Sequence, residues 1–391
     1  MALAKKIKII SLINSLGPAG AERVLLQLAQ NIDKEKFEFS VCCLEKDVTL
    51  KKDFEEAGVE VVSLDIGRKY DPRALWRLYR FLKKGNFDIL HTHLPYAGTL
   101  GRIAGRLAGV PKIASTEHNV LDSFKPLTGF LDRSTLFLAD IVTCVAEEVE
   151  RSFFGSPTNP FSKGLLLSGP KHLTIYNGID FKEIEGILNR IDPAAKRKEL
   201  GIGEGDPVVF NAARLIPWKG HADLIKSFSK VVAALPNAKL LIAGWGPLEE
   251  ELRKQIIDLD LEGNIFLLGC RRDVKEILKI ADVFSLPYNF KGRFNGGWMS
   301  IAIMEAMAAS KPIVITAVPG VEIAVVDGKT GVVVPSGNTD KLAEAFLFLI
   351  NDPKTSEMMG RDGHDLAKKN FNIEDKVRQY EAVYEKLYLT R

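Results

Sequence analysis

The chain has 391 residues, and at about 100–200 residues per domain this length predicts two domains or one unusually large one. Apolar residues make up 46% of it and charged residues 26%, which is typical of globular proteins and excludes a disordered chain, collagen and a coiled coil. The 53 Lys and Arg against 50 Asp and Glu leave a net charge of +3, too small for a dedicated nucleic-acid binder.

Cysteine usage and the lengths of the apolar runs suggest a location. The four cysteines show no metal or disulfide spacing, so we expect buried thiols in a reducing compartment: Cys42, Cys43, Cys144 and Cys270. No apolar run approaches the roughly 18 residues that span a bilayer, and the first one predicts a strand rather than a signal peptide. We therefore expect a cytoplasmic protein whose membrane contact, at the inner face of the membrane, is peripheral.

Short runs rich in Ile and Val alternate with segments of helical periodicity, which predicts an α/β protein with parallel sheets covered by helices. In the first half, strands are predicted at residues 7–12, 39–44, 59–64, 89–91, 112–116 and 141–146. Helices are predicted between them at residues 21–30, 50–56, 72–84, 99–107 and 129–138. A stretch rich in Gly, Ser and Pro, residues 152–171, is predicted to form an exposed insertion.

The same pattern then starts again. Strands are predicted at residues 208–212, 239–243, 265–268, 283–286 and 313–316, and helices at residues 222–234, 248–258, 274–280, 301–308 and 340–349. An Asn-Gly turn at Asn177-Gly178 indicates the boundary, so we expect one domain of residues 1–175 and another of residues 176–372. The last segment, residues 373–391, is predicted to be helical and either closes the second domain or packs back on the first.

Ligands of such proteins favour the loops at the carboxyl ends of the strands. The first strand runs into a loop with Gly17 and Gly20 that opens a helix, where backbone N–H groups could approach a phosphate or a sugar hydroxyl. The loop lacks the three spaced glycines of the dinucleotide fingerprint. A plain strand-to-helix turn explains it equally well.

The second series carries two cations at the corresponding place. Arg214 and Lys219 follow its first strand, and a guanidinium and an ammonium converging there would suit a diphosphate. Gly244 and Gly246 form a tight turn after the next strand. A solvated loop is the alternative for the cations, and the glycine turn is ambiguous by itself.

A glycine loop containing Gly297 leads into an apolar helix with one carboxylate, Glu305. An unpaired charge on a buried face is costly, and a ligand hydroxyl could satisfy it by a hydrogen bond. A structural salt bridge is the alternative.

Histidines follow two strands of the first series. His91 and His93 lie on one strand face, and His118 follows the next strand. No third ligand is dictated and no helix carries a metal motif, so we expect no metal site. A single imidazole, His118, reaching a substrate from the end of its strand is the simpler interpretation.

Taken together, these residues resemble the retaining nucleotide-sugar glycosyltransferases of glycosyltransferase family 4. The likeness covers nearly the whole chain and rests on the order of its motifs: residues 20–23, residues 105–109, His118, residues 177–180, Arg214 with Lys219 and Gly220, Gly244 with Gly246 and Pro247, and residues 305–308. The resemblance implies the GT-B fold, two facing Rossmann-like domains with an interdomain cleft, with the acceptor on the first domain and the nucleotide-sugar donor on the second.

The resemblance also implies roles for matching residues. Arg214 and Lys219 would hold the donor diphosphate without metal. Glu305 would accept the ribose hydroxyls, and His118 would contact the donor sugar. Further residues would contact the donor or its base, and we assign to this group Gly17, Gly20, Gly244, Gly246, Arg271, Gly297, Met299, Ser300 and Ile301.

One position departs from the family. Its motif is a glutamate, seven residues and a second glutamate, but Gly297 stands where the first is expected. Loss of one transition-state contact can lower the rate by about 10²–10³. Asn295 or Arg293 could occupy the same space.

The resemblance implies an enzyme that needs no cofactor or metal and moves a hexose from a UDP- or GDP-sugar to a glycan or lipid-linked acceptor, with retention, in cell-surface polysaccharide or lipopolysaccharide synthesis. Gly297 motivates a second hypothesis, a nucleotide-sugar-binding subunit with weakened catalysis that partners another glycosyltransferase. An epimerase of the nucleotide sugar is a third.

A basic segment predicts how the acceptor is reached. Seven basic residues lie between Arg68 and Lys84, with Trp76, Tyr79 and Phe81 among them. Such a helix can lie on anionic lipid, or it can pack on its own sheet with a solvated basic face. Residues 124–130 would add apolar contacts to the acceptor.

Overall fold

The computed structural model describes residues 5–66, 71–157, 171–289 and 300–390. These residues divide into two compact units, one of residues 5–178 and 373–390 and the other of residues 179–289 and 300–372. Each unit is a parallel sheet covered by helices.

The first unit has a seven-stranded sheet in the order β3-β2-β1-β4-β5-β6-β7. Its strands are β1 Ile7–Ile13, β2 Phe37–Cys43, β3 Glu60–Ser63, β4 Ile89–His93, β5 Lys112–Glu117, β6 Ile141–Cys144 and β7 His172–Thr174. Every neighbouring pair is parallel. Its helices before the boundary are α1 Gly20–Asn31, α2 Lys51–Glu56, α3 Pro72–Gly85, α4 Pro95–Ala108, α5 Pro126–Thr135 and α6 Glu147–Phe154.

The second unit has a six-stranded parallel sheet in the order β10-β9-β8-β11-β12-β13. Its strands are β8 Val208–Ala212, β9 Lys239–Ala243, β10 Ile265–Gly269, β11 Val283–Leu286, β12 Ile313–Thr316 and β13 Gly331–Val334. Its helices are α7 Phe181–Arg190, α8 Pro193–Glu199, α9 His221–Ala234, α10 Glu249–Asp258, α11 Val274–Ile277, α12 Ile301–Ala308, α13 Thr339–Asn351 and α14 Pro353–Phe371.

The last helix, α15 Ile373–Leu389, belongs to the first unit. The ring of Tyr384 meets Phe37 edge to face at 5.9 Å, and the Asp33 N–H donates to Glu381 Oε1 at 2.8 Å. Tyr384 and Val383 lie fully within the same apolar core as strands β1 and β2. Of the two placements left open by the sequence, the structure has the one in which this segment packs on the first unit.

The strands read as continuous apolar runs because helices cover both faces of each sheet. All five residues of β4 and all five of β8 are buried. In both sheets the second and third strands along the chain lie on one side of the first strand, and the later strands lie on its other side. The strand order therefore reverses between β1 and β4 in one unit and between β8 and β11 in the other, and ligands favour such positions.

Several elements were not predicted. Helix α6 ends at Phe154, so the first residues of the expected insertion are helical, and residues 158–170 lie outside the described part. Helix α14 was not predicted, and it contains Gly360, a residue that lowers helix propensity. A Cβ at this position would stand 2.1 Å from the Ser310 carbonyl oxygen, so the close packing of the helix requires glycine. Strands β7 and β13 are short, with three and four residues. The expectation of a buried Cys270 is wrong, because this residue lies exposed just after β10.

Candidate functional site

The loops after β8 and β11 lie at the strand-order reversal of the second unit. Gly220 closes the first loop with a φ of +69°, and a Cβ there would stand 1.6 Å from the carbonyl oxygen of Pro287 in the second. The Asn289 N–H donates to the Trp218 carbonyl at 3.1 Å. Only glycine permits this approach, so the two loops hold each other in place.

Lys219 ends a short 3₁₀ turn in the first of these loops and is held against Tyr288. Its Nζ lies 3.3 Å from the Tyr288 hydroxyl oxygen and 4.5 Å from the centre of that ring. Tyr288 is buried, and its backbone carbonyl accepts hydrogen bonds from Thr316 Oγ1 at 2.8 Å and Ser336 Oγ at 3.0 Å. The ammonium is therefore positioned by a rigid aromatic ring.

Burial, and to a smaller extent the positive charge of Arg214, lower the pKa of Lys219 to about 7. Arg214 is exposed. Within the described ranges neither cation has a carboxylate within ion-pair distance. The two like charges interact and one of them is partly desolvated, so an anion bound there would stabilise both.

Gly244 and Gly246 allow the loops after β8 and β9 to lie together. A Cβ at Gly244 would stand 1.9 Å from the Ala213 carbonyl oxygen, and one at Gly246 would stand 2.4 Å from that of Leu215. The Leu215 N–H donates to the Trp245 carbonyl at 2.9 Å. These glycines thus fix the backbone on both sides of Arg214, and an approach of their N–H groups to a ligand stays a prediction.

Glu305 lies on α12, which begins directly after Ser300. No side chain caps this helix at Ser300. The Glu305 side chain is only 5% exposed and lies between the fully buried Met304 and Ala306, as its apolar setting in the sequence predicts. Ser300 and Ile301 are half-buried at the helix start. Gly297, Met299, Asn295 and Arg293 lie outside the described residues.

Arg271 differs from Arg214 in being fully paired. Its guanidinium contacts Asp273 Oδ1 at 2.7 Å and Glu199 Oε1 at 2.7 Å, and the bond to Asp273 raises its pKa. Lys196 joins the same carboxylates, at 3.1 Å from Asp273 and 2.8 Å from Glu199. Arg271 therefore connects α8 to the loop after β10, and its role at the donor base stays a prediction.

The first unit has its own glycine loop at the corresponding position. A Cβ at Gly17 would stand 2.7 Å from Asp47 Oδ2. Gly20 begins α1, and no side chain caps the helix at Ala19. Asn14 Oδ1 accepts the Ala97 N–H at 2.8 Å, which ties this loop to the start of α4 across the strand-order reversal. The atom that approaches Gly17 belongs to a side chain, so both the turn interpretation and the ligand interpretation stay predictions.

His118 does not stand alone at the end of β5. Its Nε2 lies 3.2 Å from His93 Nδ1, and the His93 ring lies 4.1 Å from that of His91. His91 is fixed through Nδ1 by the Tyr384 hydroxyl and through Nε2 by Thr116 Oγ1, each at 2.7 Å. Burial lowers the pKa of His118 to about 4 and that of His91 to about 3, so these rings are neutral at pH 7.

Among the described residues no group of three or more His, Cys, Asp or Glu is arranged to hold a metal ion. His91 and His93 share one strand face, as expected, but their rings pair with neighbours instead of converging on a common point.

A buried ion network beneath the histidines was not foreseen. Arg102 on α4 is fully buried and contacts Asp132 Oδ1 at 2.6 Å, Glu117 Oε1 at 3.5 Å and Ser115 Oγ at 3.0 Å. Burial, and then the nearby charge of Asp132, raise the pKa of Glu117, and the Arg102 guanidinium opposes this shift. In the sequence, the burial of Arg102 is indicated by its spacing. It falls on the buried face of α4 together with Gly98 and Gly105.

The backbone between β4 and α4 is strained. Leu94, directly after His93, has φ +65° and ψ 152°, a conformation that side-chain-bearing residues rarely adopt. Such strain costs about 1–3 kcal/mol and concentrates at functional sites.

Helix α3 presents the basic face that its sequence predicts. Its apolar side packs inward through Ala74, Leu78 and Leu82. The five basic residues of the helix are exposed: Arg73, Arg77, Arg80, Lys83 and Lys84. Trp76 is 57% exposed, with the Arg80 guanidinium 4.6 Å from its ring centre. Phe130 on α5 is also exposed. No helix in the described residues has the length and apolar character to cross a membrane.

Comparison with known proteins identifies the family. The family model of glycosyltransferase family 4 matches residues 18–156, and that of glycosyl transferases group 1 matches residues 192–365. The UDP-Gal:alpha-D-GlcNAc-diphosphoundecaprenol alpha-1,3-galactosyltransferase of Escherichia coli is 28% identical over 94% of this chain and 93% of its own length. The GDP-mannose-dependent monoacylated alpha-(1-6)-phosphatidylinositol monomannoside mannosyltransferase of Corynebacterium glutamicum is 31% identical over 68% of both chains.

A solved structure supports the fold. Anabaena HepE in complex with UDP and glucose superimposes with a TM-score of 0.80 at 21% identity, over 96% of this chain and 98% of its own. Its match and the two parallel sheets confirm the predicted α/β architecture of two Rossmann-like domains. From these matches, the chain belongs to glycosyltransferase family 4 and has the GT-B fold.

Proposed function

We propose that this glycosyltransferase moves a hexose from a nucleotide-diphosphate sugar to a glycan or lipid-linked acceptor of the cell envelope, with retention and without a metal ion. The supporting observation is the cation pair of Arg214 and Lys219, which has no carboxylate partner in the described structure. The names of the relatives support the donor and acceptor classes, since they include UDP and GDP donors and lipid-linked acceptors.

The two cations differ in what they can do for a diphosphate. The Arg214 guanidinium can bind two phosphate oxygens at once, whereas the Lys219 ammonium acts as a point charge. As the bond from the sugar to the diphosphate breaks, negative charge develops on the leaving oxygen. Preorganised cations stabilise that charge, and this role is one that a metal ion serves in other transferases.

Retention follows from reaction on one face of the sugar. The acceptor hydroxyl attacks from the side that the diphosphate leaves, and a leaving phosphate oxygen takes the acceptor proton. This route needs no carboxylate base from the protein. Neutral His118 would contact the donor sugar by a hydrogen bond, and Glu305 would accept the ribose hydroxyls.

A donor panel tests the proposal. The purified protein is incubated with UDP- and GDP-sugars and an undecaprenyl-diphosphate-linked acceptor, while nucleotide affinity is measured by calorimetry. We expect one donor class to be turned over, and Arg214→Ala to lower both affinity and turnover. Arg253→Ala, which changes an exposed cation on α10, is the matched control. Neither hydrolysis nor transfer, with unchanged affinity in Arg214→Ala, would refute the proposal.

The same donor panel distinguishes the proposed transferase from the alternative that Gly297 suggests. A nucleotide-sugar-binding subunit would bind the donor without turnover, and Gly297→Glu would restore weak donor hydrolysis. An epimerase would convert the donor with no acceptor present, which product analysis detects.

We also propose that the basic face of α3 contacts anionic lipid at the inner face of the membrane. The exposed cations around Trp76 support this contact. Flotation with phosphatidylglycerol vesicles is expected to recover the wild type but much less of Arg77→Glu with Arg80→Glu. The control is Arg253→Glu with Lys254→Glu on α10, and equal recovery of both double variants would contradict the contact.

A further inference from the structure

The hydrogen bond between His93 and His118 carries information about where the protons lie. His93 Nδ1 and His118 Nε2 are 3.2 Å apart, so one of them carries a hydrogen and the other accepts it. The side chains are 3% and 9% exposed. Two neutral rings therefore permit two arrangements, and the surroundings of His93 distinguish them.

The second nitrogen of His93 decides between the arrangements. His93 Nε2 is buried and has no partner among the residues described. If His118 donated, the His93 proton would have to sit on Nε2, as a buried N–H with no acceptor. If His93 donates from Nδ1, only a lone pair is left there. Orphaned buried N–H groups are rarer than under-satisfied acceptors, so the second arrangement is favoured.

The His93 ring is also held in place. It lies 4.1 Å from the ring of His91, whose two nitrogens are fixed by Tyr384 and Thr116. Turning the His93 ring over would replace Nδ1 by a carbon and lose the bond to His118. The C-terminal helix α15 therefore supports this pair through Tyr384.

We infer that His93 is a positioning residue that holds His118 in the Nδ1–H tautomer, so that His118 donates a hydrogen bond to a substrate oxygen. No partner of His118 Nδ1 lies in the described part of the chain, which leaves that nitrogen available. The use of this donor on the sugar rests on the proposed function. The tautomer itself does not.

Nitrogen-15 NMR of histidine-labelled protein tests the tautomer directly, because protonated and unprotonated ring nitrogens differ widely in chemical shift. The chain has 6 histidines, and His118→Gln identifies the signals of His118. We expect the wild-type His118 to carry its proton on Nδ1. His93→Leu removes the donor and should shift His118 toward Nε2–H, whereas His93→Asn retains a side-chain N–H and should preserve Nδ1–H.

Transfer kinetics provide the second measurement. His93→Leu is expected to lower kcat/KM about tenfold with partial rescue in His93→Asn, while thermal unfolding shows whether each variant is folded. A wild-type His118 protonated on Nε2, or on both nitrogens, overturns the inference, and this result needs no variant to fold. If the tautomer is as inferred but His118→Gln transfers at the wild-type rate, the proposed role of His118 fails while the role of His93 in setting the tautomer stands.

Discussion

The two sheets reverse their strand order in the same way, yet the side chains near these points differ in charge. In the second unit, Arg214 and Lys219 are cations without a carboxylate partner in the described structure. In the first unit, His93 and His118 are neutral, and the charges of Arg102 are paired beneath them. The same strand order thus places loops of different charge at corresponding positions of the two units.

The cost of burying charge explains how the two regions can be stable. A buried cation is tolerated when carboxylates pair with it, as they do with Arg102. Lys219 has no such partner among the described residues and instead lies partly buried on an aromatic ring, where its pKa falls to about 7. The charge of Arg102 is thus paired within the first unit, whereas we propose that an anionic ligand pairs with the cations of the second.

The largest change in the free energy of unfolding is expected when the buried ion network of the first unit is broken. Arg102→Met would leave Glu117 and Asp132 buried without their cation and should lower the free energy of unfolding by about 3–5 kcal/mol. Urea denaturation measures it. Arg106→Met, which removes a half-exposed pair with Asp140, is the control and should cost about 1 kcal/mol. Equal losses in the two variants would show that the network contributes no special stability.

Lys219→Met should separate function from stability in the second unit. We expect kcat/KM to fall by about 10²–10³, because a cation at the leaving diphosphate is lost. The folded-state pKa of about 7 lies below the unfolded value of 10.5, so the buried charge destabilises the fold most below pH 7. The variant should therefore unfold at a higher temperature than the wild type at pH 6, and this gain should vanish near pH 10.

A lower unfolding temperature at pH 6, together with full activity, would contradict both parts of that expectation. Lys226→Met, a change of an exposed lysine on α9, is the control for loss of a charge alone.

Proton uptake on donor binding sharpens the comparison. A diphosphate bound at Lys219 should raise its pKa, so binding at pH 8 should take up about 0.9 proton and binding at pH 6 about 0.1. Donor affinity should fall about tenfold between these pH values. Calorimetry of UDP-glucose in buffers of different ionisation enthalpy measures the uptake, since a diphosphate esterified at both ends does not itself titrate there. Uptake in Lys219→Met equal to the wild type would assign it elsewhere.

The smallest effect concerns the support of the histidines. Tyr384→Phe removes the hydroxyl that pairs with His91 Nδ1 at 2.7 Å and should cost about 1 kcal/mol of unfolding free energy. Tyr79→Phe on α3, where the ring is only half-buried, should cost less. A neutral Tyr384→Phe would show that the first unit does not depend on this bond.

Much of this could be predicted from sequence, because local patterns carry it. The apolar runs predicted most strands, and Arg214 and Lys219 became candidate site residues because they lie in the loop that follows one of them. The pairing of His93 with His118 was missed, since it joins two strands through a contact that spacing along the chain does not encode. Arg102 was missed because a buried arginine depends on Glu117 and Asp132, which lie on other elements.

The return of the last helix to the first unit has a consequence for biosynthesis. Residues of α15, among them Val383, Tyr384 and Leu387, form part of the core of the amino-terminal unit. That core stays incomplete on the ribosome until α15 has emerged, whereas every described residue of the second unit precedes Ile373. The second unit can therefore finish folding before the first, because the first unit must wait until α15 has been translated.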